Sequence, residues 1–241
     1  MKTMDIFSPI SHDSRRTTAG DYAMCGRLLQ HNPPPIRDFM ESLGLSPPPI
    51  DARYNLAPTQ PVVTASCDLQ KGPELTAELL TWGITPRFWR GGSAPKPLFN
   101  ARAEGIWERA NFRGGVGRRQ CVIVVNGFYE WHGRDQPWVV TMADGDAMVI
   151  AGIWQGTSQG RECCIVTTSP NGVMGQIHDR MPVILDAPGA RAWLAARSRE
   201  ETEALMTACP DDWIQAKRVS TYVNSTRHDG PECLESPPPM G

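Results

Sequence analysis

CVIVVNGFYEWHGRDQPWVVTMADGDAMVIAGIW, residues 121–154, decides the fold. Within it, Cys121–Asn126, Trp138–Met142 and Ala147–Trp154 are short runs dense in Val, Ile and aromatic residues. That is the composition of strands. Gly-containing turns lie between them, and no helical stretch intervenes. Working outward, Pro61–Ser66, Leu75–Trp82, Cys163–Thr168 and Val183–Leu185 read the same way. Ile36–Leu43 fits a short helix closed by Gly44, and Pro47-Pro48-Pro49 then enforces extended chain. Ala103–Ala110, Ala190–Ala196 and Glu200–Ala208 read as helices. Strands mostly follow strands, whereas a doubly wound parallel sheet alternates strand with helix. The expectation is therefore an α+β fold in one domain, with a mostly antiparallel, barrel-like β-sheet core flanked by short helices.

Composition agrees. Apolar residues are 40% and charged residues 21% of 241, enough for a packed core and against disorder. The 22 Gly and 22 Pro argue for many turns and against a helical bundle. No apolar run reaches 18 residues, so no membrane helix is expected. The seven cysteines (25, 67, 121, 163, 164, 209, 233) are odd in number and contain no CxxC. Neither a disulfide framework nor a zinc site is suggested, no cofactor is implied, and reduced thiols point to the cytoplasm. Residues 1–24 read as a leader, either disordered or a start placed upstream of a true initiator at Met24. The domain is expected over 25–235, and 236–241 as a disordered tail.

Net charge is −2, yet charge is uneven. From Arg87 to Arg119 eight basic residues stand against Glu104 and Glu108, interleaved with Trp82, Phe88, Trp89, Phe99, Trp107 and Phe112. Cations that track phosphates and rings that stack bases make a single-stranded nucleic-acid groove. A solvated arginine loop over ordinary core aromatics fits the same residues.

Four short stretches carry candidate chemistry: Met24-Cys25-Gly26-Arg27, Phe99-Asn100-Ala101-Arg102-Ala103-Glu104, Gly127-Phe128-Tyr129-Glu130-Trp131 and Ile177-His178-Asp179-Arg180-Met181-Pro182. Singly each has a bland reading: a buried cysteine, a capping asparagine, a surface acid at a strand end, a salt-bridged loop. Together, with Arg53-Tyr54-Asn55-Leu56-Ala57-Pro58-Thr59, Leu80–Ile84, Ala151–Trp154, Thr167-Thr168 and Val223-Asn224, their order resembles the SRAP family (SOS-response-associated peptidase domain) from Cys25 to about Glu235. Members of that family cross-link to abasic sites in single-stranded DNA. The resemblance implies Cys25 as nucleophile, Asn100 positioning it, and Glu130 and His178 as proton-transfer groups. It implies Arg27, Arg102 and Arg180 on DNA phosphates, and Trp82 and Trp131 lining the DNA site. It further implies a monomer that partners single-stranded DNA and no membrane, in a cytoplasmic protein associated with the nucleoid when on DNA. Family members typically begin at Met-Cys-Gly-Arg, whereas here 23 residues precede that Met.

The chemistry explains the residue types. A ring-opened abasic site presents an aldehyde, which a primary amine converts to an imine. Only an N-terminal cysteine carries amine and thiol on adjacent carbons, so its thiol can close a five-membered thiazolidine. An α-amine titrates near about 7.7–8.0, leaving a usable neutral fraction. An internal cysteine has an amide nitrogen and cannot react this way, so the expected active chain starts at Cys25. Other classes use parts of the same set. An N-terminal-nucleophile cysteine hydrolase or autopeptidase cleaving before Cys25 would need no basic-aromatic band. A reader of modified bases would need the band but not Cys25. A Cys25–His178 thiol protease would tolerate an extended N-terminus.

Overall fold

The structure, a computed structural model, describes residues 26–86, 96–133 and 135–239. The leader, Cys25 and residues 87–95 with their basic and aromatic side chains lie outside the described residues. In chain order the elements are β1 (Arg27–Gln30), α1 (Pro33–Ser42), β2 (Arg53–Leu56), β3 (Pro61–Asp68), β4 (Leu75–Trp82), β5 (Asn100–Arg102), β6 (Arg119–Val125) and β7 (Gly127–His132). Then come β8 (Gln136–Met142), β9 (Met148–Thr157), β10 (Gly160–Thr168), β11 (Met181–Pro182), β12 (Ile184–Leu185), α2 (Ala187–Ala195), α3 (Arg199–Ala204) and β13 (Ile214–Arg218).

Strands β10, β4, β3, β6 and β9 pair in that order, and β9 pairs back to β10, closing a barrel. All its pairings are antiparallel except β10–β4, where Glu162 lies beside Thr81 and Cys163 beside Trp82 in parallel. A separate antiparallel sheet runs β13-β8-β7-β1-β2. This is the α+β, mostly antiparallel, barrel-like architecture expected from residues 121–154.

The continuous apolar run of β6 is explained by burial on both faces. Val122 and Val124 join the cluster that takes in Ile36 and Met40 of α1 and Trp193 of α2. Cys121, Ile123 and Val125 join the cluster that takes in Leu28, Phe128 and Val140 of the second sheet. The Trp193 indole N–H reaches the carbonyls of Cys121 and Gly152 at 2.9 and 3.2 Å, pinning α2 across β6 and β9. Six described cysteines are all buried, and burial pushes the Cys121 and Cys164 thiols well up, which keeps them inert. Among the described residues no helix is long and apolar enough to cross a membrane.

Three differences from the sequence reading bear on the site. Ala103–Ala110 is not a helix but a chain of turns, because Gly105 sits at φ +75° and breaks the helical path. Thr221–Asn224 and Pro231–Leu234 form short 3-10 turns near the C-terminus, and Ser236–Pro239 carry no regular structure. Third, β7, which the local pattern does not announce, is a full member of the second sheet.

Gly127 opens β7 where β8 comes closest. A Cβ there would stand 2.2 Å from the Val140 carbonyl oxygen, a backbone atom held in the sheet. Gly127→Ala is therefore expected to lower stability by about 1–3 kcal/mol, as overpacking does. Urea unfolding measures it, and an unchanged midpoint would show that another contact sets the β7–β8 spacing.

Candidate active site

Two convergences build the site. The first is the β1–β7 pair. Arg27 lies opposite Tyr129, Leu28 opposite Phe128 and Leu29 opposite Gly127. Continued by one residue, that register would set Gly26 opposite Glu130. Cys25 lies outside the described residues, but one peptide joins it to Gly26, a Cα span of about 3.8 Å. Glu130 is not the surface acid that its bland reading allows. It is 4% exposed, within a strand, and its Oε1 accepts the Trp131 backbone N–H at 3.0 Å. A carboxylate kept so far from water is costly unless hydrogen bonds or charges offset the lost hydration, and such acids cluster at functional sites.

The second convergence forms at the end of β10. In parallel pairing, Asn100 lies beside Ile165 and Arg102 beside Thr167. On the other side Pro182 pairs with Thr167 and Met181 with Thr168. One strand end thus gathers the Asn100–Arg102 motif, the Thr167-Thr168 pair and the His178–Pro182 motif. Phe99, Ile165, Ile177 and Met181 share an apolar cluster with Leu28 and Phe128, so both convergences rest on one floor.

His178 is largely buried, and its Nδ1 stands 3.0 Å from the Arg180 backbone N–H and 2.9 Å from Asp179 Oδ1. One nitrogen cannot accept from the first and donate to the second at once. Asp179 is 88% exposed and free to swing away, so the backbone bond decides. Nδ1 then accepts, and Nε2 carries the proton of the neutral ring.

Arg180 is committed inside the protein. Its guanidinium takes both carboxylate oxygens of Glu104 at 2.8 Å and donates to the Thr167 carbonyl at 2.7 Å. It acts here as a brace between two motifs, which leaves it little capacity for a phosphate. The Arg180 hydrogen bond holds the Glu104 carboxyl below its ordinary value. A depressed carboxyl adds stability above its unfolded value and loses it as pH falls through its folded value. Glu104→Gln should therefore flatten part of the acid limb below about pH 4.3. With Glu104 57% exposed, the loss at neutral pH is held to about 1 kcal/mol or less. Unfolding free energy followed from pH 7 to pH 3 checks both statements.

Trp82, expected to line the DNA site, needs correcting. It is fully buried, donates its indole N–H to the Phe99 carbonyl at 3.1 Å and meets the Phe99 ring edge-on at 5.7 Å. It supports the residue before Asn100 from below and offers no face to a base. Phe112 is buried likewise, and Trp107 lies under Arg199. The described aromatics of the band are thus mostly core, while Phe88 and Trp89 lie outside the described residues. Arg27 and Arg102 differ from Arg180: neither forms an ion pair among the described residues. Burial pulls the Arg27 guanidinium below its ordinary value, a cost that a bound anion would relieve.

Trp131 is half-buried, and its indole N–H donates to Asn224 Oδ1 at 2.8 Å. Tyr129 is buried beneath the same sheet and donates to the Tyr54 carbonyl at 2.8 Å. Sequence reasoning quoted Asn224 and the Arg53–Thr59 motif without a role for either. Charge or polarity in those stretches gives no hint of the partner, which is about 90 or 170 residues away in the chain. Among the described residues no group of His, Cys, Asp and Glu could hold a metal ion.

The comparisons follow this geometry. The family described as SOS response associated peptidase (SRAP) matches residues 24–226. The chain is 31% identical over 226 residues to the abasic site processing protein YoqW of Bacillus subtilis, covering 88% of this chain and 100% of that one. It is 26% identical over 228 residues to the abasic site processing protein YedK of Escherichia coli, covering 88% and 99%. It is 28% identical over 218 residues to the abasic site processing protein HMCES of Gallus gallus, covering 75% of this chain and 65% of that one. A crystal structure from Bordetella bronchiseptica shares the fold at a TM-score of 0.68 and 22% identity, over 81% of this chain and 100% of that chain. With that match spanning both convergences, the chain belongs to the SOS response associated peptidase (SRAP) family.

Proposed function

We propose that this chain processes abasic sites in single-stranded DNA by covalent capture through Cys25, once Cys25 is the first residue. The observation that carries the reading is the β1–β7 register. It directs the chain just upstream of Arg27 toward a buried carboxylate, Glu130, with Arg27 beside it. The names borne by relatives over almost their whole length supply the substrate.

The neutral α-amine of Cys25 adds to the C1′ aldehyde of the ring-opened sugar to give a carbinolamine. Loss of one water gives the imine. The thiol sulfur then bonds to the imine carbon, and its proton goes to nitrogen, closing the thiazolidine. Glu130 donates to the departing hydroxyl, and the Nε2–H of His178 hydrogen-bonds the sugar oxygen as the ring opens. Asn100 orients the amine without competing as a base. Arg27 and Arg102 hold phosphates, and Arg180 braces the His178 loop through Glu104 and Thr167. Single strands are favoured because flipping the sugar out of a duplex costs a few kcal/mol.

Intact-mass measurement tests the proposal. A chain beginning at Cys25 should gain one abasic oligonucleotide less one water. Absence of that species, with the mature N-terminus verified, would overturn capture.

A further inference from the structure

The Arg53–Thr59 motif has no part in the chemistry above, yet the structure gives it an unusual load. Asn55 is 1% exposed, and its Nδ2 lies 3.0, 3.0 and 2.8 Å from the carbonyls of Val223, Ser225 and His228. Asp229 Oδ1 accepts the backbone N–H groups of Tyr54 and Asn55, and its Oδ2 pairs with Arg53. The motif is a clamp that fixes residues 223–229.

What the clamp holds in place is an exposed aromatic stack. Tyr222 and His228 lie face to face at 3.9 Å and 12°. The His228 Nδ1–H donates to the Tyr222 carbonyl at 2.6 Å, so the stack is locked from two sides. Tyr222 is still 38% exposed, and only Leu79 matches it as a large exposed apolar side chain among the described residues. His228 covers one ring face, so the exposure belongs to the other face and the edge.

The chain leading into and out of the stack is basic. From Ile214 to His228 the chain carries Lys217, Arg218 and Arg227 and no acidic residue. None of the three forms an ion pair among the described residues. The clamp turns the acidic side chain that follows them, Asp229, inward to Arg53.

This surface adjoins the candidate site. Glu130 lies opposite Trp138 on β8, and Trp138 opposite Arg218 on β13. The three therefore share one row and one sheet face, with Arg218 about 10 Å from Glu130 at ordinary strand spacing. After Arg218 the chain turns directly into Thr221–Asn224, whose Asn224 holds the Trp131 indole.

We infer that Tyr222, backed by His228, is a stacking platform for a base of the DNA strand flanking the lesion, with Arg218 and Arg227 on its phosphates. This deepens the abasic-site reading and rests on it. A pre-formed stack with one open face takes a base of any identity, and a rigid loop loses little freedom in doing so. Two unpaired arginines beside it supply the charge that the buried aromatics of the Trp82–Phe112 band do not accompany with a platform.

The test is fluorescence anisotropy with an undamaged single-stranded oligonucleotide at low salt, beside adduct formation with its abasic counterpart. Tyr222→Leu is expected to weaken binding about tenfold, the usual effect of losing one stacked base. Tyr222→Phe, which keeps the ring, should bind as the parent does. Arg227→Ala should lower the slope of log affinity against log salt by about 1. Thermal unfolding of each variant reports on the fold, which an exposed ring does not hold together. Tyr222→Leu binding equal to the parent's would overturn the platform while leaving capture intact. Tyr222-dependent binding without any adduct would overturn capture and uphold the platform. No binding of undamaged single strands by the parent would overturn the platform, and no adduct besides would overturn capture as well.

Discussion

Cys25→Ala, in a chain whose first residue is position 25, is expected to leave no adduct that survives denaturing electrophoresis. The reason is structural chemistry rather than affinity. The variant keeps an α-amine and so can still form an imine, but nothing closes the ring. An imine is reversible in water, whereas a thiazolidine carbon is held by both nitrogen and sulfur. Cys25→Ser should behave alike, because an oxygen nucleophile closes a far more labile ring. Borohydride should therefore trap both variants as secondary amines in low yield. A chain that retains residues 1–24 should give neither product, because its Cys25 nitrogen is an amide. Weak, salt-sensitive binding of the strand should survive in every variant, since Arg27 and Arg102 are unchanged. A stable adduct from Cys25→Ala would show that another residue is the nucleophile. It would remove the basis for the whole reading.

Glu130→Gln should slow adduct formation by about 10²–10⁴-fold, the range that a positioned proton-transfer group contributes. Glutamine has the same shape and keeps an oxygen to accept the Trp131 backbone N–H, so the strand should hold. Glu130→Ala is a poorer test, because it opens a cavity in a site only 4% exposed and strands that N–H. Single-turnover rates at saturating abasic oligonucleotide separate slow chemistry from weak binding. A parent-like rate would remove Glu130 from the proton transfers. A large drop in thermal midpoint with an unchanged rate would mark the carboxylate as structural.

The stacking platform extends the same logic outward from the site. If capture is covalent, as proposed, the bond supplies persistence, and non-covalent contacts have only to find the strand and align it. The proposed set of contacts is modest: Arg27 and Arg102 at the lesion, Arg218 about 10 Å away along one row, and Tyr222 beyond. A chain of net charge −2 can work in this way because its cations are placed rather than abundant.

Local sequence was enough for the architecture and for the family. Successive Val- and Ile-rich runs separated by glycine turns favour a mostly antiparallel, barrel-like sheet, since strands without intervening helices mostly pair with their neighbours. Five or more short motifs in one order also name the family, and N-terminal amine chemistry is the ground on which Cys25 is proposed as nucleophile, without any fold at all. Tertiary structure decided which polar residues are free to act. Trp82 reads as a platform in sequence, but the parallel β10–β4 pairing draws it into the core. Arg180 and Arg102 look equivalent in sequence, yet among the described residues only the Arg180 guanidinium forms an ion pair with Glu104. Glu130 looks like a surface acid until β1 and β8 cover both edges of its strand. Asn55 and Tyr222 stand about 170 residues apart, and nothing local to either predicts that one clamps the loop presenting the other. The physical reason is common to all four. Strand propensity and glycine turns act over a few residues, but the burial and pairing of a charge depend on which distant strand lies alongside it.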